Sequence, residues 1–327
     1  KEGKFVTSRH IRDRLMKETE KNLALRVEET DSADSFLVYG RGILHLGVLV
    51  ETMRREGYEL TVGNPQVLVK DIDGKKHEPF EILVVDVPSE FSGKVIDLVT
   101  QKKGEMLIME SKGTMQHLEF DIPSRGLIGL RSQMLTQTAG EAVMAHRFNE
   151  YKPWKGPIPG RSNGVLVAKT AGLTTAYSID KLQDRGRFFI EPGEEIYAGQ
   201  VLAEHIKPGD LNINAVEMKK LTNHRASGSD DSVRITPKVQ YTLEECMEYI
   251  QFDECIEVTP KSVRMRKSLL DENERSKATS RRRSSINKFR HAIKTSIPEK
   301  PTNAARTVTI LTKTFINRFT SSKIRST

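Results

Sequence analysis

The densest group of residues that could bind an anion lies at residues 219–228. This ten-residue stretch contains three fixed positive charges, one imidazole and several hydrogen-bond donors in a turn-prone sequence. Lysine binds phosphate as a point charge and arginine as a two-pronged donor, so the composition suits phosphate oxygens. The alternative is a solvated loop whose positive charges balance those of Asp230 and Asp231. The candidate RNA-binding residues are Lys219, Lys220, Asn223, His224, Arg225 and Ser227.

Two further groups of basic residues could contact nucleic-acid phosphates. In a predicted strand near the end of the folded part, β alternation would place Arg264 and Arg266 on one face, with Lys267 next in the chain. Arg125 stands at a predicted helix start, where backbone N–H groups can bind an anion, and Arg131 lies further along that helix. A solvated strand face and simple helix capping are the alternatives for these two groups.

The common signatures of catalysis are absent from the sequence. It contains no Gly-x-x-x-x-Gly-Lys-Ser/Thr loop, no His-Glu-x-x-His and no Gly-x-Ser-x-Gly. We interpret Cys246 and Cys255 as buried apolar side chains rather than a redox or metal pair. His45 stands between two leucines and is interpreted as a structural histidine. The sequence therefore favours binding over catalysis, with no catalytic, cofactor or metal residue predicted.

The charge of the chain is concentrated at one end. The net charge is +8, but residues 277–327 hold 13 of the 52 Lys and Arg and one of the 44 acidic residues, which leaves 39 basic and 43 acidic residues, a net −4, in residues 1–276. Binding by the folded part must therefore use local patches rather than an overall positive field.

Composition also bounds the compartment. No run approaches the roughly 18 apolar residues of a membrane-spanning helix, so no membrane partner is expected. With only 2 cysteines the chain cannot build a disulfide framework, which favours a reducing compartment. We expect a cytoplasmic protein.

The elements that must position these residues fall into similar successive units. The first unit begins at a helix, without an initiator Met, so we interpret it as a βαββαβ unit that lacks its opening strand and the chain as a fragment of a longer protein. We expect the exposed edges of that unit to pair with another strand, either residues 307–315 or a strand from a second copy of the chain. The predicted helices of the first unit are 7–21 and 42–55, and its predicted strands are 23–27, 35–39, 59–62 and 66–69.

The second unit shows the complete βαββαβ order of a ferredoxin-like domain. Its predicted strands are 80–87, 105–110, 114–122 and 142–148, with a helix from 89 to 103 and another from 124 to about 140. The third unit is Gly-rich and mainly β, with one clear helix at 242–250, where Thr242 and Glu245 have the spacing of a capping box. The predicted fold class is α+β: two ferredoxin-like domains, the first truncated, and then a mainly β domain. The expected boundaries are 1–76, 77–154, 155–283 and a basic, disordered tail at 284–327.

Five motifs carry a resemblance to a known family. Residues 40–46 (Gly-Arg-Gly-Ile-Leu-His-Leu) and 53–60 resemble domain III of the translational GTPases related to elongation factor G. Residues 122–129 (Ile-Pro-Ser-Arg-Gly-Leu-Ile-Gly) are similar to domain V of the BipA (TypA) branch. Residues 182–186 and 219–228 resemble the C-terminal domain of that branch, and the resemblance extends over residues 1 to about 283.

The resemblance implies that nucleotide binding and ribosome binding belong to different parts of the protein, and that this chain contains only the ribosome-binding part. An N-terminal domain elsewhere would bind GTP and magnesium, so this fragment would have no cofactor and no active site. The present chain would bind the ribosome, through rRNA and ribosomal proteins at the factor site, and A-site tRNA. The implied role is ribosome assembly or translation under stress. Alternatives are a LepA-like GTPase fragment, a free-standing RNA-binding module without nucleotide, and a metabolic enzyme with a ferredoxin-like regulatory pair.

Overall fold

The computed structural model describes residues 2–32, 34–218 and 234–281. A first compact unit extends to Arg275, and the described residues of a second unit, 276–281, are helical. The first unit is a mixed α+β structure with several sheets. Among the described helices, none is long and apolar enough to cross a bilayer.

The first segment packs two helices against short strands. Its elements are α1 (Ser8–Lys21), β1 (Arg26–Glu29), β2 (Phe36–Tyr39), α2 (Ile43–Glu56) and β3 (Leu60–Gly63). The Thr7 hydroxyl caps α1 by accepting from the His10 N–H, and α2 ends at Gly57, whose φ of 97° suits glycine. β1 and β2 form an antiparallel hairpin of two strands. The core of this segment contains Leu15, Leu25, Leu49 and Met53.

The second segment is a five-stranded antiparallel sheet with helices. Its elements are β4 (Lys70–Ile72), β5 (Lys75–Pro88), α3 (Ser92–Gln101), β6 (Glu105–Lys112), β7 (Met115–Pro123), α4 (Ser124–Leu127), α5 (Leu130–Gln137) and β8 (Val143–Pro153). The strand order is β8-β5-β7-β6, and β4 adds a short hairpin to the start of β5. Asp73 and Gly74 make that hairpin turn with positive φ, and Asp-Gly is a typical sequence for such a turn. Apolar side chains of β5 and β7 pack on α3 and α5 to form the core.

The third segment contains two α-helices and contributes strands to three sheets, one of which is the two-stranded pair of β10 and β12. Its elements are β9 (Val165–Ala168), β10 (Gly172–Leu173), α6 (Ala176–Leu182), β11 (Gly186–Phe188), β12 (Glu195–Ile196), β13 (Val201–His205), β14 (Leu211–Ile213), α7 (Leu243–Tyr249), β15 (Glu254–Val258) and β16 (Val263–Lys267). One sheet has the order β11-β13-β9-β14, in which β14 runs parallel to β9. The predicted capping box of α7 is confirmed, because Thr242 and Glu245 exchange side-chain and backbone hydrogen bonds.

The sheet of β3, β15 and β16 joins the first and third segments. β15 pairs with β16 on one edge and with β3 on the other, where Val62 lies opposite Ile256. One edge of β3 is therefore paired by a strand almost 200 residues away in the chain. Residues 307–315 are the strand candidate for the edges of the truncated βαββαβ unit predicted at residues 1–76, and they lie outside the described residues.

Three local predictions differ from the structure. Residues 66–69 are irregular rather than a strand: they follow Pro65, which has no N–H to donate to a ladder. The helix expected from residue 124 is two helices, because Gly129 between them has φ of 70°. The third segment has a second helix, α6, capped by the Thr175 hydroxyl, whereas the sequence pattern predicts one clear helix there.

Candidate RNA-binding surface

The charged stretch 219–228 lies outside the described residues, but the structure describes the residues on both sides of it. On the N-terminal side, the hydroxyls of Thr175 and Ser178 donate to the carbonyl oxygen of Glu217 at 2.6 and 2.8 Å. Both hydroxyls belong to the start of α6. The chain is thus fixed to that helix immediately before the charged stretch.

The C-terminal side is fixed to the same region by one side chain. Gln183 Nε2 donates to the carbonyl oxygen of Arg234 at 3.0 Å, and Gln183 Oε1 accepts from the Thr236 N–H at 3.1 Å. Gln183 Nε2 also donates to Asp180 at 2.9 Å, which orients the amide. The flanks of the charged stretch therefore share one support, formed by α6 and the 3-10 turn that follows it.

A cleft of about 250 Å³ lies against this support, between α6 and β14. Lys181 and Arg185 are exposed at its wall, and Lys181 Nζ is 3.8 Å from the Glu217 carboxylate. The amides of Asn212 and Asn214 line the opposite side. The cleft presents cations and amides, which are suitable groups for phosphate oxygens.

Lys267 is buried, whereas the sequence predicts that it contacts RNA. Its side chain is only 2% exposed, and its ammonium is 2.6 Å from Asp210, 2.9 Å from Asp253 and 3.0 Å from Glu254. Burial alone would lower its pKa, but these carboxylates raise it above its ordinary value. Glu254 is also paired with Arg161 at 3.0 Å. Lys267 belongs to a buried charge network and is withdrawn from the RNA-binding set.

The two arginines of β16 differ in whether they form an ion pair. Arg266 Nε is 2.6 Å from the Glu257 carboxylate, which also accepts from the Tyr197 hydroxyl at 2.6 Å. Arg264 and Arg266 alternate with the buried Met265 and Lys267, as β alternation predicts. Arg264 is half-buried and makes no ion pair within the described part of the chain. Of the two, Arg264 is the better candidate for a phosphate.

Arg125 also has internal partners. It is paired with the buried Glu78, donates to the carbonyl oxygen of Gly156, and lies over the Trp154 ring at 5.3 Å from the centroid. The helix that it opens is a single turn. These contacts place Arg125 at the junction between the second and third segments, and its contact with an anion stays a prediction.

Arg131 is exposed on α5 and forms no ion pair among the described residues. It lies near Glu248 of α7, whose pKa is raised by burial and by Glu244 and Glu245, while Arg131 acts to lower it. The described candidates therefore lie on three different elements, α4, α5 and β16, rather than in one site.

The residues interpreted as structural are buried or hydrogen-bonded within the fold. His45 accepts from the Arg41 N–H at its Nδ1, and its Nε2 is 2.7 Å from the Asn22 amide nitrogen. Cys246 and Cys255 are both buried, and burial raises the pKa of the Cys246 thiol to about 12. Within the ranges that the structure describes, no cluster of His, Cys, Asp and Glu could hold a metal ion.

Sequence reasoning missed the supporting residues of the charged stretch. Gln183 lies in the motif at residues 182–186, which carries the family resemblance but gives no sign of a supporting role. Thr175 caps α6 as Thr242 caps α7, but Ser178 rather than a glutamate stands three residues after it, so the capping-box spacing that predicts α7 is missing. Hydrogen bonds across 51 residues, as between Gln183 and Arg234, leave no local pattern in the sequence.

Comparison with known proteins supplies the remaining evidence. Residues 163–272 match the TypA/BipA C-terminal domain, and residues 75–161 match the elongation factor G C-terminus. The large ribosomal subunit assembly factor BipA of Synechocystis sp. is 49% identical over 267 residues, 81% of this chain and 45% of that protein. Its counterparts in Escherichia coli K12 and Haemophilus influenzae are 47% and 48% identical, each over 85% of this chain and 46% and 45% of their own lengths.

The chain thus spans about half the length of the curated relatives that it matches. The BipA-specific match covers α6, Gln183 and the charged stretch, and it favours BipA over the LepA alternative. Together with the identities of 47–49%, it shows that the chain belongs to the BipA (TypA) family.

Proposed function

We propose that this chain is the ribosome- and tRNA-binding half of a BipA-type translational GTPase that acts in assembly of the large ribosomal subunit and in translation under stress. The observation that carries the proposal is the match of residues 163–272 to the BipA C-terminal domain. The relatives that extend this match over 81–85% of the chain are named large ribosomal subunit assembly factors.

The fold proposal is that the first two segments are ferredoxin-like domains, the first without its opening strand. In its support, the second segment has two helical regions and the strand order β8-β5-β7-β6, in which the first strand of the unit is central. The domain boundaries at residues 76, 154 and 283 remain part of this proposal. Rigid α+β platforms of this kind suit recognition of structured RNA by shape.

Catalysis is assigned to a part of the protein outside these residues. GTP and magnesium would bind there, and this chain would position the protein on its RNA target. Residues 1–276 carry a slight negative net charge, so their contact with RNA must come from small cationic groups. The charged stretch at 219–228 is the principal group, and Arg131 and Arg264 are secondary ones.

The support on α6 strengthens the assignment of residues 219–228. Because Glu217, Arg234 and Thr236 are fixed by side-chain hydrogen bonds, both flanks of the stretch are held beside the cleft that contains Lys181 and Arg185. Because both flanks are already fixed, the intervening residues lose less conformational entropy when they bind RNA. A purely solvated loop gains nothing from such support.

Salt dependence of ribosome binding tests this contact. We expect the triple variant Lys219→Ala, Lys220→Ala, Arg225→Ala to bind ribosomes less tightly. The slope of log affinity against log salt should fall by about 2, because each neutralised phosphate contributes roughly 0.7 to 0.9 to that slope. The measurement compares the full chain with the full-chain variant, so the basic residues after Lys277 contribute equally to both.

A charge-matched variant is the control. Arg9, Lys17 and Lys207 are exposed and make no ion pair in the described part of the chain, so their replacement by Ala removes the same charge elsewhere. The control should retain the parent slope. Equal slopes for the two triple variants would refute the assignment of phosphate contact to residues 219–228.

A further inference from the structure

The strand β6 forms one edge of the sheet in the second segment, because it pairs with β7 and with no other described strand. All 8 of its residues are exposed, and we call residues 105–112 the β6 edge. Four consecutive apolar side chains lie within it: Met106, Leu107, Ile108 and Met109, each between 39% and 53% exposed. Natural edge strands usually carry charges that prevent further pairing, so a long apolar edge indicates a surface that binds another strand.

The opposite edge of the same sheet lacks this pattern. β8 pairs with β5 and with no other described strand, and its middle carries His146, Arg147 and Asn149. Polar and charged side chains of this kind oppose the addition of a strand. Of the two edges, β6 is therefore the one whose side chains favour an added strand.

The register with β7 assigns the apolar side chains of the β6 edge to faces of the sheet. Met106 and Met109 lie opposite Phe120 and Leu118, which are buried in the core beneath α3 and α5. Residues directly opposite each other share a face, so both methionines lie on the helix side of the sheet. Ile108, between them, lies on the other side. A strand added to β6 would meet an apolar surface on the helix side.

The face away from the helices is acidic beside this edge. Glu110 lies opposite His117 and makes no ion pair among the described residues. His117 Nδ1 is 2.7 Å from Asp86, and its Nε2 is 3.4 Å from Glu119, so one imidazole serves two carboxylates. Lys112, at the turn end of the strand, also acts electrostatically on His117. Three carboxylates thus exceed the two basic groups, even when His117 is protonated.

The length of the edge is sufficient for an added strand. The register shifts between Met106 and Ile108, so Leu107 has no partner on β7, but residues 108–112 pair without a further shift. Five residues span roughly 17 Å at about 3.4 Å per residue, which is a typical strand length. Backbone N–H and C=O groups of alternate residues point away from β7 and are available to another strand.

These two faces define the chemistry of the partner. Because side chains of a strand alternate between faces, a suitable segment is apolar at one set of alternate positions and basic at the other. RNA is not suitable, because the carboxylates repel phosphates. A second copy of the chain paired through β6 would bring the same carboxylates to the same face, where like charges destabilise the pairing.

We propose that the β6 edge binds an extended segment of a partner protein as an added strand, with apolar side chains beside Met109 and lysine or arginine side chains beside Glu110. This assigns a protein contact to a chain whose other proposed contacts are with RNA. The inference goes beyond the proposed function and does not depend on RNA binding by residues 219–228.

A designed peptide tests the proposal. The probe is the fluorescein-labelled peptide Val-Lys-Val-Arg-Val-Lys-Val-Arg, and the control peptide has the same composition with the valines first and the basic residues last. By fluorescence anisotropy with the full chain, we expect saturable binding of the alternating peptide and weaker binding of the control. Hydrogen exchange should slow in the amides of β6 when the alternating peptide binds, and not in those of β8.

Substitution of Glu110 tests the charge on the outer face. Glu110→Lys replaces an opposite-charge pair by a like-charge pair, so it should weaken binding of the alternating peptide roughly two- to thirtyfold, the range for such a change across strands. Glu110→Gln should have an intermediate affinity. Glu20→Lys on α1 is the control, because Glu20 is exposed and makes no ion pair within the described ranges, and it should retain the parent affinity.

Three results would overturn the proposal: equal affinity for the two peptides, equal affinity of Glu110→Lys and the parent, or peptide binding without protection of β6. Sedimentation of the full chain adds a fourth, since a dimer that the alternating peptide dissociates would assign the edge to a second copy instead. These measurements use no ribosome and no RNA, so their failure is distinguishable from failure of the proposed function.

Discussion

At the scale of single residues, the fate of a basic side chain depends on which carboxylates the fold brings to it. Lys267 and Arg264 stand on the same strand three residues apart, yet one is buried among three carboxylates and the other, opposite Glu257, makes no ion pair within the described residues. Two of the partners of Lys267, Asp253 and Glu254, are adjacent in the chain, while Asp210 comes from a distant loop. A basic residue in a strand is therefore not by itself evidence of a nucleic-acid contact.

Substitution of Lys267 tests its structural role. Lys267→Met keeps most of the side-chain volume but leaves Glu254, itself 1% exposed, with Arg161 as its one remaining ion-pair partner among the described residues. Breaking a buried ion pair from one side typically costs about 3 to 5 kcal/mol, so we expect a decrease of that order in the free energy of unfolding. Urea denaturation measures it. Arg264→Met, the control, should cost less than about 1 kcal/mol, and similar decreases for both variants would contradict the network.

At the scale of elements, β5 and β8 are joined by an ionisable pair as well as by backbone hydrogen bonds. His146 Nδ1 is 2.6 Å from the Glu81 carboxylate. The hydrogen bond to Glu81 raises the pKa of His146 above its ordinary value, against the lowering effect of burial. Burial would raise the pKa of Glu81, but hydrogen bonds from His146 and Ser124 lower it overall.

These shifts set a window of pH in which the pair stabilises the sheet. A raised histidine pKa adds stability that is complete below about pH 6.5 and is lost as pH rises through the folded-state pKa. A lowered glutamate pKa adds stability above about pH 4.5 that is lost as pH falls through the folded-state pKa. We therefore expect His146→Gln to lower the free energy of unfolding most near pH 5.5 and least near pH 8.5, about one unit below and two above the reference value for histidine.

The Glu81→Gln background provides the control for this prediction. With the carboxylate removed, the effect of His146→Gln should no longer change between the two pH values. The measurement is chemical denaturation of the parent, both single variants and the double variant, arranged as a double-mutant cycle. A coupling energy that is the same at both pH values would contradict the pair as the source of the pH dependence.

Elements with local signals were predictable from the sequence, and pairings between distant elements were not. The helices at α1, α2 and α7 follow from apolar spacing and from caps such as Thr242 with Glu245. The pairing of β3 with β15 has no local signature, because a strand encodes which face is buried but not which partner lies beside it. For the same reason the alternation of Arg264 and Arg266 was predictable, and the burial of Lys267 was not.

At the scale of the whole molecule, the shared sheet makes the first and third segments one structure. β3 is held by β15, whereas β1 and β2 pair only with each other among the described strands. A two-stranded hairpin is marginally stable by itself, so we place the weakest part of the first segment at this hairpin rather than at β3. This division refines the view that the first segment lacks a strand.

Hydrogen exchange can measure this coupling. In the parent chain, amides of β3 should be protected to the same degree as those of β15 and β16, and better than those of β1 and β2.

Ile256 of β15 is fully buried opposite both Val62 and Met265, so Ile256→Ala should cost about 2 to 5 kcal/mol through the cavity that it leaves. Protection should then fall in β3 and β16 together. Phe120→Ala in β7 is the control, because its cavity lies in the other core and should lower protection in β5 and β6 first. If β3 keeps its protection in Ile256→Ala while β16 loses it, the first segment is stabilised independently of the shared sheet.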